Sequence, residues 1–239
     1  MRLDKYLSDC GIDTRSKCKK YIRQGRVLVN DVLITDEAFH VREEDTVVFD
    51  QKPIKLQRQL YLMFHKPAGC VCALSDSVHK TVLDYFPSDI KKRLLIVGRL
   101  DKDTEGLLFL TDDGAFVHHL MAPKKHVEKS YYFCARGYLC DEACDMVASG
   151  MDIGDETPTK PATLKILKTE NNQVQGIISI SEGRYHQVKR MIKVLGGEVT
   201  YLRRISIGKI RLDDNLPAGE FRELTDKELE LLNYHQREK

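Results

Sequence analysis

The chain lacks most features that would assign it to a class at once. No stretch approaches the roughly eighteen consecutive apolar residues of a membrane-spanning helix. Met1-Arg2-Leu3-Asp4-Lys5 opens on charges rather than on a basic stub followed by an apolar run. The expectation is a soluble, cytoplasmic protein with no membrane partner. Seven cysteines are an odd number for a disulfide framework, and none forms a CxxC pair, as expected of reduced thiols in a cytosol. Net charge is scarce too. Lys and Arg number 38 against 36 Asp and Glu, a balance of +2 that alone does not point to nucleic acid. There is no GxGxxG, no P-loop and no convincing ligand cluster, so neither a cofactor nor a metal is expected. What is present, 239 residues with 42% hydrophobic content, is ample for a core in one large or two small domains and excludes disorder as the default.

The charge is unevenly spread. Residues 1–30 carry eight Lys or Arg against three acids, while the next thirty are acidic. In the basic part, Leu3, Tyr6 and Leu7 fall at helical spacing, Gly11 suits a helix end, and Thr14 can cap a second helix with Cys18, Tyr21 and Ile22 inside. Residues 27–34 then read as a hairpin turning at Asn30-Asp31, with one more strand at 46–49. On the second helix Lys17, Lys20 and Arg23 recur at i, i+3 and i+6, and Lys19 and Arg26 broaden the same surface. Such a face is either an ordinary solvated one or a phosphate-binding one, where counterion release rewards each contact. The runs LDKYLSDCG and TRSKCKKYIRQGRVLVND resemble the S4-like RNA-binding domain over residues 1 to about 48. That resemblance implies RNA contacts from Arg2, Lys5, Arg15, Lys17, Lys20, Arg23 and Arg26.

Residues 51–60 show no periodicity and read as a linker, which gives a domain at 1–50 and a second at 61–239. In the second, apolar runs at 61–64, 94–97, 107–110, 131–135, 177–180, 199–205 and 221–224 read as strands. Helical patterns lie at 81–86, 113–121, 141–149, 186–195 and 226–236, the last opened by a capping box of Thr225 and Glu228. Irregular order without repeated βαβ units predicts an α+β fold, a mainly antiparallel sheet with flanking helices.

Between two apolar strands lies Gly98-Arg99-Leu100-Asp101-Lys102-Asp103-Thr104-Glu105-Gly106, a polar loop on rigid supports. Its composition also fits a surface turn. The pattern GRLDxxTxGLLxLTxDG, every fixed position of which is present, resembles the signature of pseudouridine synthases of the RsuA and RluB/RluE/RluF type. His65-Lys66-Pro67-Ala68-Gly69 is similar to the family's K-P-x-G segment, Glu128-Lys129-Ser130-Tyr131 to its E-K-T-Y, and Glu182-Gly183-Arg184-Tyr185-His186-Gln187-Val188-Lys189-Arg190-Met191 to its E-G-x-x-H-Q-V-[KR]-R-M.

The resemblance implies isomerisation of uridine to pseudouridine in ribosomal RNA, which requires no oxidant, hydrolytic water or second substrate and so no cofactor. Asp101 would act as nucleophile or as the base that removes the ribose C2′ proton. Lys189 would be its cationic partner, with Arg190 the neighbouring alternative, since adjacent helical residues point about 100° apart. Tyr131 would stack on the extruded base, although Tyr131 and Tyr132 face opposite sides of a strand and either could be core. Arg99, Lys66, Arg184, Gln187 and Arg190 would contact RNA, Arg99 alternatively pairing with Asp101 or Asp103. His186 reads as an acid or base, or as a histidine fixing the start of its helix. The S4-like domain and SEGRYHQVKRM look closest to enzymes acting on 16S rRNA, free or within a 30S assembly intermediate, as a monomer. Alternatives are a 23S rRNA enzyme and a non-catalytic RNA-binding assembly factor. Cys70 and Cys72 read as buried thiols ahead of a zinc pair.

Overall fold

A computed structural model describes residues 1–56, 59–122 and 127–234. The basic loop Pro123-Lys124-Lys125-His126, part of the expected linker and the terminal tail from residue 235 lie outside the described residues. The chain forms two compact units, Met1–Gln59 and Leu60–Gln236.

In the first unit α1 (Leu3–Asp9) and α2 (Arg15–Arg23) pack on a sheet of β1 (Val27–Val29), β2 (Val32–Leu33), β3 (Val47–Phe49) and β4 (Lys52–Ile54), in the order β2-β1-β3-β4. Leu3, Leu7, Cys18, Ile22, Val27 and Val47 make its core. Asn30 and Asp31 both take left-handed backbone, φ 49° and 64°, the type I′ turn a two-residue hairpin favours. Asp50 and Gln51 do the same at 46° and 64°. This second hairpin draws residues 52–54, expected in the linker, into the sheet as β4. Thr14 occupies the N-cap position of α2, but its hydroxyl makes no capping bond.

The cationic face of this unit is largely neutralised by its own acids. Arg2 and Arg15 bond the fully buried Asp4, Lys5 pairs with Asp9, Lys17 with Asp13, Arg23 with Glu37 and Arg26 with Asp50. Lys20 makes no ion pair among the described residues. Exposed pairs are worth at most about 1 kcal/mol and yield readily to a phosphate. Asp4 differs. Burial raises its pKa, yet the bonds from Arg2 and Arg15 outweigh this and hold it at about 2. A carboxylate so depressed stabilises the fold above its unfolded pKa and loses that contribution as pH falls through about 2. Asp4→Asn is therefore expected to lower stability at neutral pH by about 1 kcal/mol, since its guanidinium partners are half-exposed and screened. The difference from wild type should shrink between pH 4 and pH 2, as followed by amide exchange in residues 1–49.

The second unit is built on a sheet of nine strands among the described residues. These are β5 (Tyr61–Lys66), β6 (Leu95–Val97), β7 (Glu105–Thr111), β8 (Lys129–Gly137), β9 (Thr163–Glu170), β10 (Gln173–Ile180), β11 (Gly197–Ile207), β12 (Ile210–Arg211) and β13 (Phe221–Glu223). The main order is β13-β5-β7-β11-β8-β10-β9, with β6 beside β7 and β12 beside β11. Every pairing is antiparallel except β7 with β11. With α3 (Ser88–Lys91), α4 (Gly114–Met121), α5 (Ala143–Ser149), α6 (Gln187–Val194) and α7 (Asp226–Leu231), this is the expected α+β fold. Residues 82–85 form a 3₁₀ turn closed by a capping box of Thr81 and Asp84.

β5 is buried along its whole length and β7 nearly so, because apolar layers cover both faces. Phe64, Leu108, Phe133 and Met191 lie in one layer; Met63, Phe109, Phe116 and Leu229 lie in the other. β9 escapes sequence reading because it is an edge strand exposed at nearly every position, with no apolar alternation. Gly106, at the parallel junction, has φ 108°, and a Cβ there would meet the Arg204 carbonyl oxygen at 2.3 Å. Glycine thus lets β7 leave the aspartate loop directly against β11.

Candidate active site

Asp101 sits on the turn between β6 and β7, at the floor of a cleft of about 740 Å³ in the second unit. Three contacts hold that turn from behind. The Thr104 N–H donates to the Asp101 carbonyl at 3.1 Å, and the Leu100 N–H donates to the Cys72 thiol at 3.3 Å. Lys66 ends β5 wholly buried, its ammonium donating to the carbonyls of Pro67, Lys102 and Thr104 at 3.0, 3.3 and 2.9 Å. Burial lowers the Lys66 pKa, and the three carbonyls replace lost water. Lys66 therefore cannot reach RNA in this structure, contrary to the sequence reading; it supports the loop that carries Asp101.

The opposite wall is the start of α6. Lys189 Nζ lies 3.3 Å from Asp101 Oδ2 and 2.5 Å from Asp103 Oδ1, so one ammonium serves two carboxylates. Burial pulls its pKa down, but the bond to Asp103 and the charges of both carboxylates outweigh this and raise it above the ordinary lysine value. Asp103 is correspondingly depressed: its own burial would raise it, and Lys189 more than reverses that. Lys189 thus stays charged at neutral pH. His186 Nε2 approaches Asp101 Oδ1 at 3.6 Å from a left-handed backbone, φ 48°, at the N-cap position of α6.

The helix geometry separates Arg190 from Lys189. Arg190 turns away to Asp155 at 2.7 and 3.0 Å and to the carbonyls of Ile153 and Tyr185. Arg184 is likewise occupied, by Asp155, Glu182 and the carbonyls of Thr157 and Pro158. Gln187, 3% exposed, bonds Glu182 and accepts from the Arg184 N–H. These bonds fix the loop at 182–187 against residues 153–158; Gln187 is buried, while the Arg184 and Arg190 side chains remain 22% and 27% exposed. Arg99, by contrast, is exposed at the rim and has no ion pair among the described residues, so the alternative pairing with Asp101 or Asp103 does not form.

Alternation along β8 separates the tyrosines. Tyr131 is 8% exposed and lines the cleft, whereas Tyr132 bonds Gln175 on the other face and packs edge-on against Tyr201. Lys129 and Arg204 complete the wall behind Tyr131. Burial, with Arg204 beside it, pushes Lys129 down to about 8. Sequence reading passed over Arg204, gave Asp103 only as an alternative partner of Arg99, and gave Lys129 no role, although Lys129 is a fixed position of the matched E-K-T-Y segment. Cys70 and Cys72 are buried thiols outside any strand, and no cluster of three or more His, Cys, Asp or Glu among the described residues could hold a metal ion.

A carboxylate paired with a lysine beside a buried aromatic ring suits chemistry at a ribose carbon. Residues 60–193 match the family described as RNA pseudouridylate synthase, and residues 1–47 match the S4 domain. The Haemophilus influenzae protein named ribosomal small subunit pseudouridine synthase A is 39% identical, covering 97% of this chain and 99% of its own. Its Escherichia coli namesake is 38% identical over 96% and 98%. A Bacillus subtilis relative named uncharacterized RNA pseudouridine synthase YtzG is 40% identical over 98% of both. A solved structure titled crystal structure of pseudouridylate synthase superposes with a TM-score of 0.69 at 38% identity, covering 97% of this chain. The chain belongs to the RNA pseudouridylate synthase family, with an S4 domain ahead of its catalytic unit.

Proposed function

We propose that the protein isomerises a specific uridine of 16S ribosomal RNA to pseudouridine, with Asp101 acting as nucleophile at the sugar or as the base that removes the ribose C2′ proton, and Lys189 as its cationic partner. The observation that carries this reading is the placement of Asp101 on a braced turn at the floor of the cleft, 3.3 Å from Lys189. A carboxylate covered by RNA loses hydration and stays charged only if a fixed cation and hydrogen bonds replace the water. Tyr131 supplies a ring against which an extruded uracil can lie while its glycosidic bond is broken and the base turns to present C5. Arg99, exposed on the cleft and in no ion pair among the described residues, would take a phosphate or fill the gap left by the extruded nucleotide. No step calls for a second substrate. The choice of the small subunit is supported by relatives of that name that match along the whole chain.

The test is to map pseudouridine in 16S and 23S rRNA, by carbodiimide-dependent primer-extension stops, in cells with and without the gene. One 16S stop should vanish on deletion and return with the wild-type gene. A stop lost from 23S rRNA instead would move the substrate and keep the chemistry. No change in either RNA would leave a non-catalytic RNA-binding role as the better reading.

A further inference from the structure

Tyr185 is 78% exposed, against 8% for Tyr131 in the same cleft. An aromatic ring left in water gains nothing from burial, yet the loop that carries it is anchored by its neighbours. Arg190 Nε donates to the Tyr185 carbonyl at 2.9 Å, Arg184 donates to the Thr157 and Pro158 carbonyls at 2.6 and 2.7 Å, and Gln187 bonds Glu182 at 2.8 Å. One face of the ring is stacked on His186, with centroids 3.9 Å apart and planes 17° from parallel. His186 in that stack has left-handed backbone, a conformation that costs a non-glycine residue about 1 kcal/mol or more and tends to mark functional sites. The imidazole meanwhile reaches Asp101 Oδ1 at 3.6 Å. The two rings form a step from the carboxylate to the mouth of the cleft, and the outer face of Tyr185 is open.

We propose that Tyr185, backed by His186, is a stacking platform for the unpaired nucleobase next to the target uridine. The proposal rests on the RNA-modifying function given above and goes on to say how the neighbour of the target is held. A base drawn from its helix leaves neighbours that have lost a stacking partner. The Tyr185 ring, with the exposed Arg99 lining the same cleft and making no ion pair among the described residues, offers such a neighbour an aromatic face and a cation for its phosphate. A bound peptide would want hydrogen-bonding groups around the ring, but those of residues 182–187 are already turned inward to Asp155, Glu182 and backbone carbonyls. Stacking tolerates any base, so the platform selects for an unpaired neighbour rather than for its sequence.

The test compares wild type, Tyr185→Ala and Tyr185→Phe as full-length proteins on unmodified 16S rRNA transcript, measuring pseudouridine formation together with filter-binding affinity. Loss of one stacked base corresponds to about a 5- to 150-fold effect. Tyr185→Ala should raise KM and Kd within that range with the loss falling on KM rather than kcat, and Tyr185→Phe, which keeps the ring, should restore both. Unchanged KM and Kd in Tyr185→Ala, or a loss confined to kcat, would overturn the platform. If wild type forms no pseudouridine on this transcript, the 16S reading is decided by the mapping in cells, and the affinity difference between Tyr185→Ala and Tyr185→Phe still decides the platform. Tyr185 is exposed, so the melting temperature of Tyr185→Ala should match wild type and confirm that the fold is intact.

Discussion

Asp101→Asn abolishes pseudouridine formation, with the rate falling by roughly 10⁴-fold or more, as when other enzymes lose the group that attacks or deprotonates substrate. Either mechanism open to Asp101 needs a negative oxygen lone pair, which an amide lacks at any pH. RNA affinity stays near wild type for a structural reason. The turn is held by Lys66 and by the Thr104 and Leu100 N–H groups, none of which depends on the Asp101 side chain. Lys189 keeps Asp103 at 2.5 Å, so the wall of the cleft has no cause to move. Removing one negative charge from a site that receives a polyanion favours binding if it does anything. The comparison is made by single-turnover isomerisation and filter binding on the same RNA. Residual activity above about one part in a thousand would require another base in the cleft, and His186 at 3.6 Å from Asp101 is the group to test next.

What could be read from the sequence and what could not divide along a physical line. Patterns local in the chain were legible: the hairpin at Asn30-Asp31, the capping box at Thr225 and Glu228, the apolar runs that became β5, β7 and β8, and the aspartate motif between two strands. Properties set by distant residues were not. The charge excess of residues 1–30 looked like a free cationic face, but Glu37 and Asp50 fold back onto Arg23 and Arg26. Arg184 and Gln187 looked like RNA ligands because they are polar within a motif; their bonds to Glu182 and Asp155 come from residues the motif alone does not place in contact. Strands β4 and β9 were missed because one follows an Asp-Gln turn of unremarkable composition and the other is an exposed edge. Strand alternation alone left Tyr131 and Tyr132 open; the resemblance favoured Tyr131, and the sheet puts Tyr131 on the cleft.

Lys66→Met is the sharpest instance of that division, because the sequence suggests an RNA contact and the structure a buried brace. Methionine keeps the length and apolar stem of lysine, so little packing is lost. What goes is the ammonium that satisfies the carbonyls of Pro67, Lys102 and Thr104, two of them in the loop that carries Asp101. A buried carbonyl left without a donor costs about 1 to 3 kcal/mol, and the loop relieves that cost by turning its carbonyls toward water. Such a movement displaces Asp101 relative to Lys189, and a shift of about 1 Å can cost around 100-fold in rate. The expected result is a fall in kcat of about that size with a smaller change in KM, and a melting temperature lower by about 2 to 4 °C for each kcal/mol lost. Were Lys66 an RNA ligand, the loss would fall on KM and Kd instead, the melting temperature would hold, and Lys66→Arg would preserve binding. As a brace it gives the opposite pattern: the larger guanidinium does not fit a fully buried site, so Lys66→Arg fails alongside Lys66→Met in both kcat and stability.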